Sequence, residues 1–545
     1  MANYTMRADG TAANKAAAVD GDPAVVGECM NVSVHNGETF AAGDVIMFAD
    51  TGGDYRNTVV PPSNGSPGSV ITYEAYSGDT PIFNGSALVD DWTVYSGSVY
   101  QATVTTNPQQ VFIDNTFGSR QASAVACVSE YDWFWESNVL YLYAPGDPDT
   151  EYTTPGVEAG LHQYCFDMQA DYNTLDGVTA RYTTRNGIGG FAPGSYVTIQ
   201  NCLTEWNWYK GIGPESTVAA FDHWIIQDNI SRYNGIGGIG MSSTNSYGII
   251  RRNECYENGK YQSDPVSYNF EDAWTYGIKL FEISAGPKGN EIYENKSYSN
   301  GRGIAGDNGG RGNGIWIDHL AGDPADRTLV HHNLAYNNEG NGIFIEISSY
   351  TSVYCNVCYD NGKATNGEPG NIILDSREDF LTENNRIYNN TCSGGKYGLK
   401  VLTYGQSAGC SISDNTFKNN IFVGNSDYNV WVNQGGDNNG TYGSGNLYSN
   451  NCFGAEAADF LKAYGTSYST YDSWIAALNA NEDIQPDNNV EAEPSFTDAG
   501  GDDYTLASDS PCIGAGENLG APYNEALMPS SSWPDAVVTG DQDDY

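Results

Sequence analysis

Asp318, Glu346 and Asp375 close three closely similar runs of this chain, GIWID, GIFIE and NIILD. Paired carboxylates are the groups that cleave glycosidic bonds. One protonates the leaving oxygen while the other attacks the anomeric carbon or activates a water. Retention of configuration asks for carboxyl groups about 5–5.5 Å apart, inversion for roughly 6.5–9.5 Å. The chemistry is therefore conditional on the three runs lying side by side.

Set as consecutive rungs, GIKLF, GIWID, GIFIE, NIILD, GLKVL and NVWVN place Ile278, Ile315, Ile343, Ile372, Leu399 and Val430 in one column. Leu280, Ile317, Ile345, Leu374, Val401 and Val432 form a second. Strand side chains alternate, so these columns point inward and the residues between them point out. One outward column reads Lys279, Trp316, Phe344, Ile373, Lys400, Trp431; the other reads Phe281, Asp318, Glu346, Asp375, Leu402, Asn433. Rungs are about 4.8 Å apart, which brings Asp318 and Glu346 near the retaining separation and Asp318 and Asp375 near the top of the inverting one. Like charges on neighbouring strands destabilise a sheet, so mere surface decoration would avoid the arrangement. Crowding also separates carboxyl pKa values and keeps one acid protonated near neutrality. Trp316 and Phe344 then have the form of sugar-stacking platforms, with Lys279 and Lys400 as polar contacts beside them. His319 is expected to point inward or into a turn.

The rungs are tiles of a longer repeat. Asn-x-x-Tyr-x-Asn begins at Asn253, Asn295, Asn333, Asn356 and Asn385, with looser copies at Asn229, Asn415 and Asn446. Short strands joined by Asn and Gly turns cannot bury a core alone, but stacked coils can. Asn tolerates the left-handed backbone region and can stack into a ladder. The reading is all-β: a right-handed parallel β-helix over 155–452 that carries the acid face. Residues 1–87 are read as an N-terminal cap with the first coils, and 88–154 as an inserted antiparallel β-module. Residues 453–545 are read as a C-terminal cap and tail, with a helix in 456–479 interrupted by GTS. Insertions at 259–276, 301–312, 321–326 and 362–370 group at one edge of the acid face and would wall a groove. Those walls carry Tyr261, Tyr268, Trp274, Asp307 and Arg311, a lining suited to carbohydrate.

Acids outnumber bases by 68 to 24, for a net charge of −44. No basic footprint is visible, which makes nucleic acid and anionic membranes poor partners, and no apolar run is long enough to span a bilayer. The first residues lack the apolar stretch of a secretion signal. The expected location is extracellular, after loss of a leader, or on a virus particle, where a homotrimer is the expected assembly. Eleven cysteines are scattered singly except Cys355 and Cys358, which read as small buried apolar residues. No cofactor is expected, calcium being conceivable only as a structural ion.

The GIWID and GIFIE pair resembles the strand pair of right-handed β-helix glycoside hydrolases, in particular the β-xylosidases of glycoside hydrolase family 120. The text from GDVIMFAD to PIFNG is similar to the entry of many β-helix carbohydrate enzymes, lyases included. The resemblance covers residues 40–87 and 195–440. It implies a glycosidase with Asp318 as nucleophile and Glu346 as acid/base, and leaves the sugar open. Two alternatives stand beside it. A polysaccharide lyase or uronate epimerase on the same fold would use Lys279 or Arg311 as base and Asp307 to hold calcium. A phage tailspike or fibre would bind, and in some cases degrade, a host glycan.

Overall fold

Left-handed residues that recur in every coil set the path of the chain. Arg252, Glu294, His332, Cys355, Asn389, Asn419 and Asn450 all have φ between 52° and 57°. That conformation costs a non-glycine residue roughly 1–2 kcal/mol. The residue that follows each of them is an asparagine whose side chain offsets the cost. Asn295 donates from Nδ2 to the carbonyls of Ile250 (2.8 Å) and Tyr293 (2.9 Å) and to Oδ1 of Asn333 (3.0 Å). Its own Oδ1 accepts from the backbone and side-chain nitrogens of Asn253, each at 3.0 Å.

The computed structural model describes residues 1–216, 220–242, 245–259, 274–281, 288–301, 312–364, 369–377, 380–404, 410–433, 444–481, 485–486, 488–523, 526–527 and 537–538. They fall into two compact units, and in each the chain winds as a right-handed parallel β-helix.

The first unit comprises Met1–Ala219, Asn229–Gly240 and Gly259–Trp274. Strands Asn3–Met6, Val45–Phe48 and Ile71–Ala75 pair in parallel with Asn173–Asp176 and Thr198–Gln200, so the N-terminal residues are themselves coils. Between them Val139–Tyr143 pairs antiparallel with Asp132–Glu136 and Val99–Thr103. A second antiparallel sheet, Ser86–Val89 with Val157–Gly160 and Val111–Ile113, reaches across residues 88 and 154, and both sheets feed one core around Trp133, Leu140 and Leu142.

The second unit holds Ala220–Asp228, Met241–Asn258 and Thr275–Tyr545. One of its sheets runs through Ile249–Arg251, Glu291–Tyr293, Thr328–His331, Thr351–Tyr354, Arg386–Tyr388 and Thr416–Lys418. A second runs through Glu254–Tyr256, Lys296–Tyr298, Leu334–Tyr336, Val357–Tyr359 and Thr391–Ser393. A third carries the acids and is described below. The inward columns, such as Ile250, Ile292, Val330, Val353 and Ile387, are wholly buried, each side chain contributing about 2–3 kcal/mol. On the outside, Tyr256, Tyr298, Tyr336 and Tyr359 stack face to face at 5.0, 4.7 and 4.9 Å.

Two sequence expectations need correction. The asparagine column runs Asn253, Asn295, Asn333, Asn356, Asn390, Asn420, Asn451, not through Asn385. Asn385 belongs to a separate turn, bonded to Asn415. Its coil gains a short strand, Leu381–Glu383, paired with Ser411–Ser413, so the motif starts one turn early. In 456–479 the first half is not helical: Leu461–Ala463 and Thr466–Tyr468 form a hairpin, turned by Tyr464 and Gly465 at φ 49° and 80°. The helix is Tyr471–Asn481, and its buried Trp474 packs on Tyr448 and Phe453 over the last coil. All eleven cysteines, Cys355 and Cys358 included, are buried and unbridged.

Candidate active site

The third sheet of the second unit pairs Tyr276–Phe281, Asn313–Asp318, Ile343–Glu346, Ile372–Arg377, Tyr397–Tyr404 and Tyr428–Asn433 in parallel. Its register matches Phe281 to Asp318, Asp318 to Glu346, Glu346 to Asp375 and Asp375 to Leu402. The three acids therefore occupy three successive rungs, with strand spacing of about 4.8 Å. The chain turns directly after the first two, through His319 (φ 58°) and Ile347 (φ 49°). The third strand runs on to Arg377, and alternation returns that side chain to the same face as Asp375.

Asp318 and Glu346 are only 3% and 4% exposed, so each carboxyl depends on its immediate partners. Asp318 accepts from Lys279 Nζ at 2.6 Å through Oδ2 and meets His319 Nδ1 at 2.5 Å through Oδ1. Burial alone would push this carboxyl up; the His319 contact and the Lys279 ammonium outweigh it and hold Asp318 below its ordinary value. Glu346 meets Arg377 Nε at 2.9 Å, yet its carboxyl is pushed up to about 7. Burial is the main cause; Arg377 opposes it, and Asp318 and Asp375 on the flanking rungs reinforce it. The ion pair and the raised value are compatible because Arg377 is divided, with its Nε also 2.9 Å from Asp375 Oδ2 and its Nη2 on that same oxygen. Arg377 is thus shared between two carboxylates and does not hold Glu346 ionised by itself.

The aromatic column differs from an open platform. Trp316 and Phe344 stack on each other at 5.7 Å and are 2% and 3% exposed. The Lys279 ammonium lies 3.1 Å from the centre of a Trp316 ring, a cation–π contact that also steers Lys279 onto Asp318. Lys400 is buried over Trp431, 4.0 Å from its ring, on the rung beyond Asp375. Among the described residues, His319 and exposed Phe380 lie on the solvent side of the acids, their rings meeting edge to face at 5.5 Å. Trp274 is exposed and belongs to the first unit. Tyr261, Tyr268, Asp307 and Arg311 lie outside the described residues. Sequence reasoning missed Arg377 and gave His319 no part. Arg377 could have been found by carrying the alternation two residues past Asp375; His319 rotates to the acid through a left-handed turn that no pattern announced. Among the described residues, no cluster of three His, Cys, Asp or Glu side chains is arranged to hold a metal ion.

No family model matches the chain, and no curated protein matches it in sequence. Among solved structures it is similar to XylC in complex with xylose: TM-score 0.57, 16% identity, with 85% of this chain and 86% of that one covered. It also aligns with a protein described as a glycoside hydrolase, at TM-score 0.47 and 8% identity over 86% of this chain and 95% of the other. A mannuronic acid specific polysaccharide family 6 lyase from human gut microbiota aligns at TM-score 0.45 and 11% identity, over 85% and 82% of the two chains. At such identities the likeness to XylC bears on the fold alone.

Proposed function

We propose that this protein is a retaining glycoside hydrolase acting through Asp318 and Glu346. The observation that carries the reading is a pair of carboxyls on adjacent rungs whose surroundings drive them apart: one kept ionised, the other protonated near neutrality. The β-helix likeness to XylC, itself solved with xylose, supports a carbohydrate substrate. Asp318 attacks the anomeric carbon as the glycosidic C–O bond breaks, and Glu346 gives its proton to the departing oxygen. Glu346, now ionised, then removes a proton from the water that releases the sugar from Asp318. Both oxygens of Asp318 are engaged at rest, so attack requires one to be freed. His319, nearer solvent than Lys279, is the partner that the substrate displaces. Arg377 and Asp375 position Glu346.

The test is a polysaccharide and aryl-glycoside panel assayed with wild type, D318N and E346Q. Loss of at least 10³-fold in kcat/KM in both variants, with far-UV circular dichroism unchanged, and product of retained configuration by NMR are expected. Inverted product would move the pair to Asp318 and Asp375. Lys279 commits its ammonium to Asp318, which leaves it ill placed to act as the base of an elimination. Product absorbing in the ultraviolet as an unsaturated uronate would overturn hydrolysis.

A further inference from the structure

Lysine and arginine together number 24 against 68 acids, so an arginine in this chain that pairs with no acid needs a reason. Arg327 and Arg386 of the second unit are two such residues, and they are neighbours. Arg327 donates from Nε to Ser352 Oγ at 2.9 Å and from Nη2 to the carbonyls of Thr351, at 3.3 Å, and Asn384. Arg386 donates from Nη1 to the Tyr523 hydroxyl at 3.1 Å. Ser352 and Arg386 are register partners on adjacent strands, and Ser352 Oγ lies 3.5 Å from the Tyr523 hydroxyl. Two guanidiniums thus close on one Ser–Tyr pair, and among the described residues neither forms an ion pair with a carboxylate.

The two guanidiniums differ: burial is the largest influence on Arg386 and would lower it, but its Tyr523 contact outweighs burial and holds it above its ordinary value. Burial, with Arg386 as the next cause, pulls Arg327 down to about 10. Both side chains are half-buried rather than enclosed, so solvent reaches them. Nη1 of Arg327 and the Nε–Nη2 edge of Arg386 make no bond within the described protein. That edge is the one through which an arginine takes an oxyanion in two parallel hydrogen bonds. Tyr350, 5.7 Å from the Arg327 guanidinium, and Tyr388 flank the position with aromatic surface.

We propose that Arg327 and Arg386, with Ser352 and Tyr523, form an oxyanion-binding site for a carboxylate, sulfate or phosphate group. It lies on the sheet of Thr328–His331, Thr351–Tyr354 and Arg386–Tyr388, not on the sheet that bears Asp318 and Glu346, and it does not rest on the glycosidase reading. The anion is either free in solution or a substituent of an acidic sugar.

Thermal melts at constant ionic strength, with sodium sulfate, sodium phosphate, sodium glucuronate or glucose replacing sodium chloride, test the site. Wild type should gain Tm saturably with at least one oxyanion and not with glucose. R386Q should lose that gain, and R386K, which keeps the charge without the fork, should need at least tenfold more anion. In chloride alone R386Q should melt no lower than wild type, because it relieves the repulsion on Arg327. A response to glucuronate assigns a sugar carboxylate; a response confined to sulfate or phosphate assigns a free tetrahedral anion. No saturable response in wild type, or an undiminished one in R386Q, overturns the proposal. A lower-melting R386Q with the anion response intact would leave Arg386 as a tether for Tyr523 only.

Discussion

Glu346 ties stability and chemistry to the same proton. Its carboxyl sits at about 7 in the folded protein against an ordinary 4.5. A raised folded value means that its contribution is intact below about pH 4.5 and is lost as pH rises through 7. E346Q should therefore exceed wild type in stability at pH 8 by on the order of 3 kcal/mol, with the gap closing near pH 4.5, as read from urea unfolding at the two pH values. Asp318 behaves oppositely: held low by His319 and Lys279, it supports the fold above its ordinary value and ceases to as pH falls through the folded one. For catalysis the same values predict kcat/KM falling above about pH 7 as Glu346 loses its proton. The acid column was readable because hydrophobic alternation fixes which residues face out. The occlusion of Trp316 and Phe344 was not, since burial depends on what packs over a residue from elsewhere in the chain.

At the level of elements, the asparagine turn couples one coil to the next. Asn333 accepts from the backbone and side-chain nitrogens of Asn295 and donates to Ile292, His331 and Asn356. N333A would take the acceptor from the buried backbone N–H of Asn295 and the side-chain donor from the carbonyls of Ile292 and His331 and from Asn356 Oδ1. Each such group costs about 1–3 kcal/mol, so a loss of at least about 3 kcal/mol is expected in urea titration, with the native far-UV circular dichroism spectrum retained. The repeat was visible because turn chemistry demands Asn at a fixed offset from a left-handed residue. Its slip at Asn385 was not, because the strand Leu381–Glu383 carries no sequence mark that separates it from ordinary coil text. The hairpin at 461–468 escaped for a related reason: Tyr464 adopts a left-handed conformation that its side chain does not advertise.

The whole molecule bears a net charge of −44. Self-repulsion of that size opposes the compact state and is screened by salt, with a Debye length that falls from about 30 Å at 0.01 M to about 10 Å at 0.1 M. Tm should rise by several degrees between 0.01 and 0.3 M sodium chloride, and a flat profile would mean that the acids are already paired locally. The same molecule also has a direction. From Asn253 to Asn420 every ladder amide donates to the asparagine of the following coil. Such a column counts whole lines and ignores their length: a margin can grow, or a full line be struck out, and the remainder still scans. Excising residues 333–355 would join His332 to Asn356, give Asn295 a new amide to donate to, and remove the rung bearing Glu346 along with the coil. A shorter but still cooperative protein would result, whereas removing half that span should not fold. Heredity can therefore edit such a chain coil by coil, adding or discarding active-site rungs without renegotiating the scaffold.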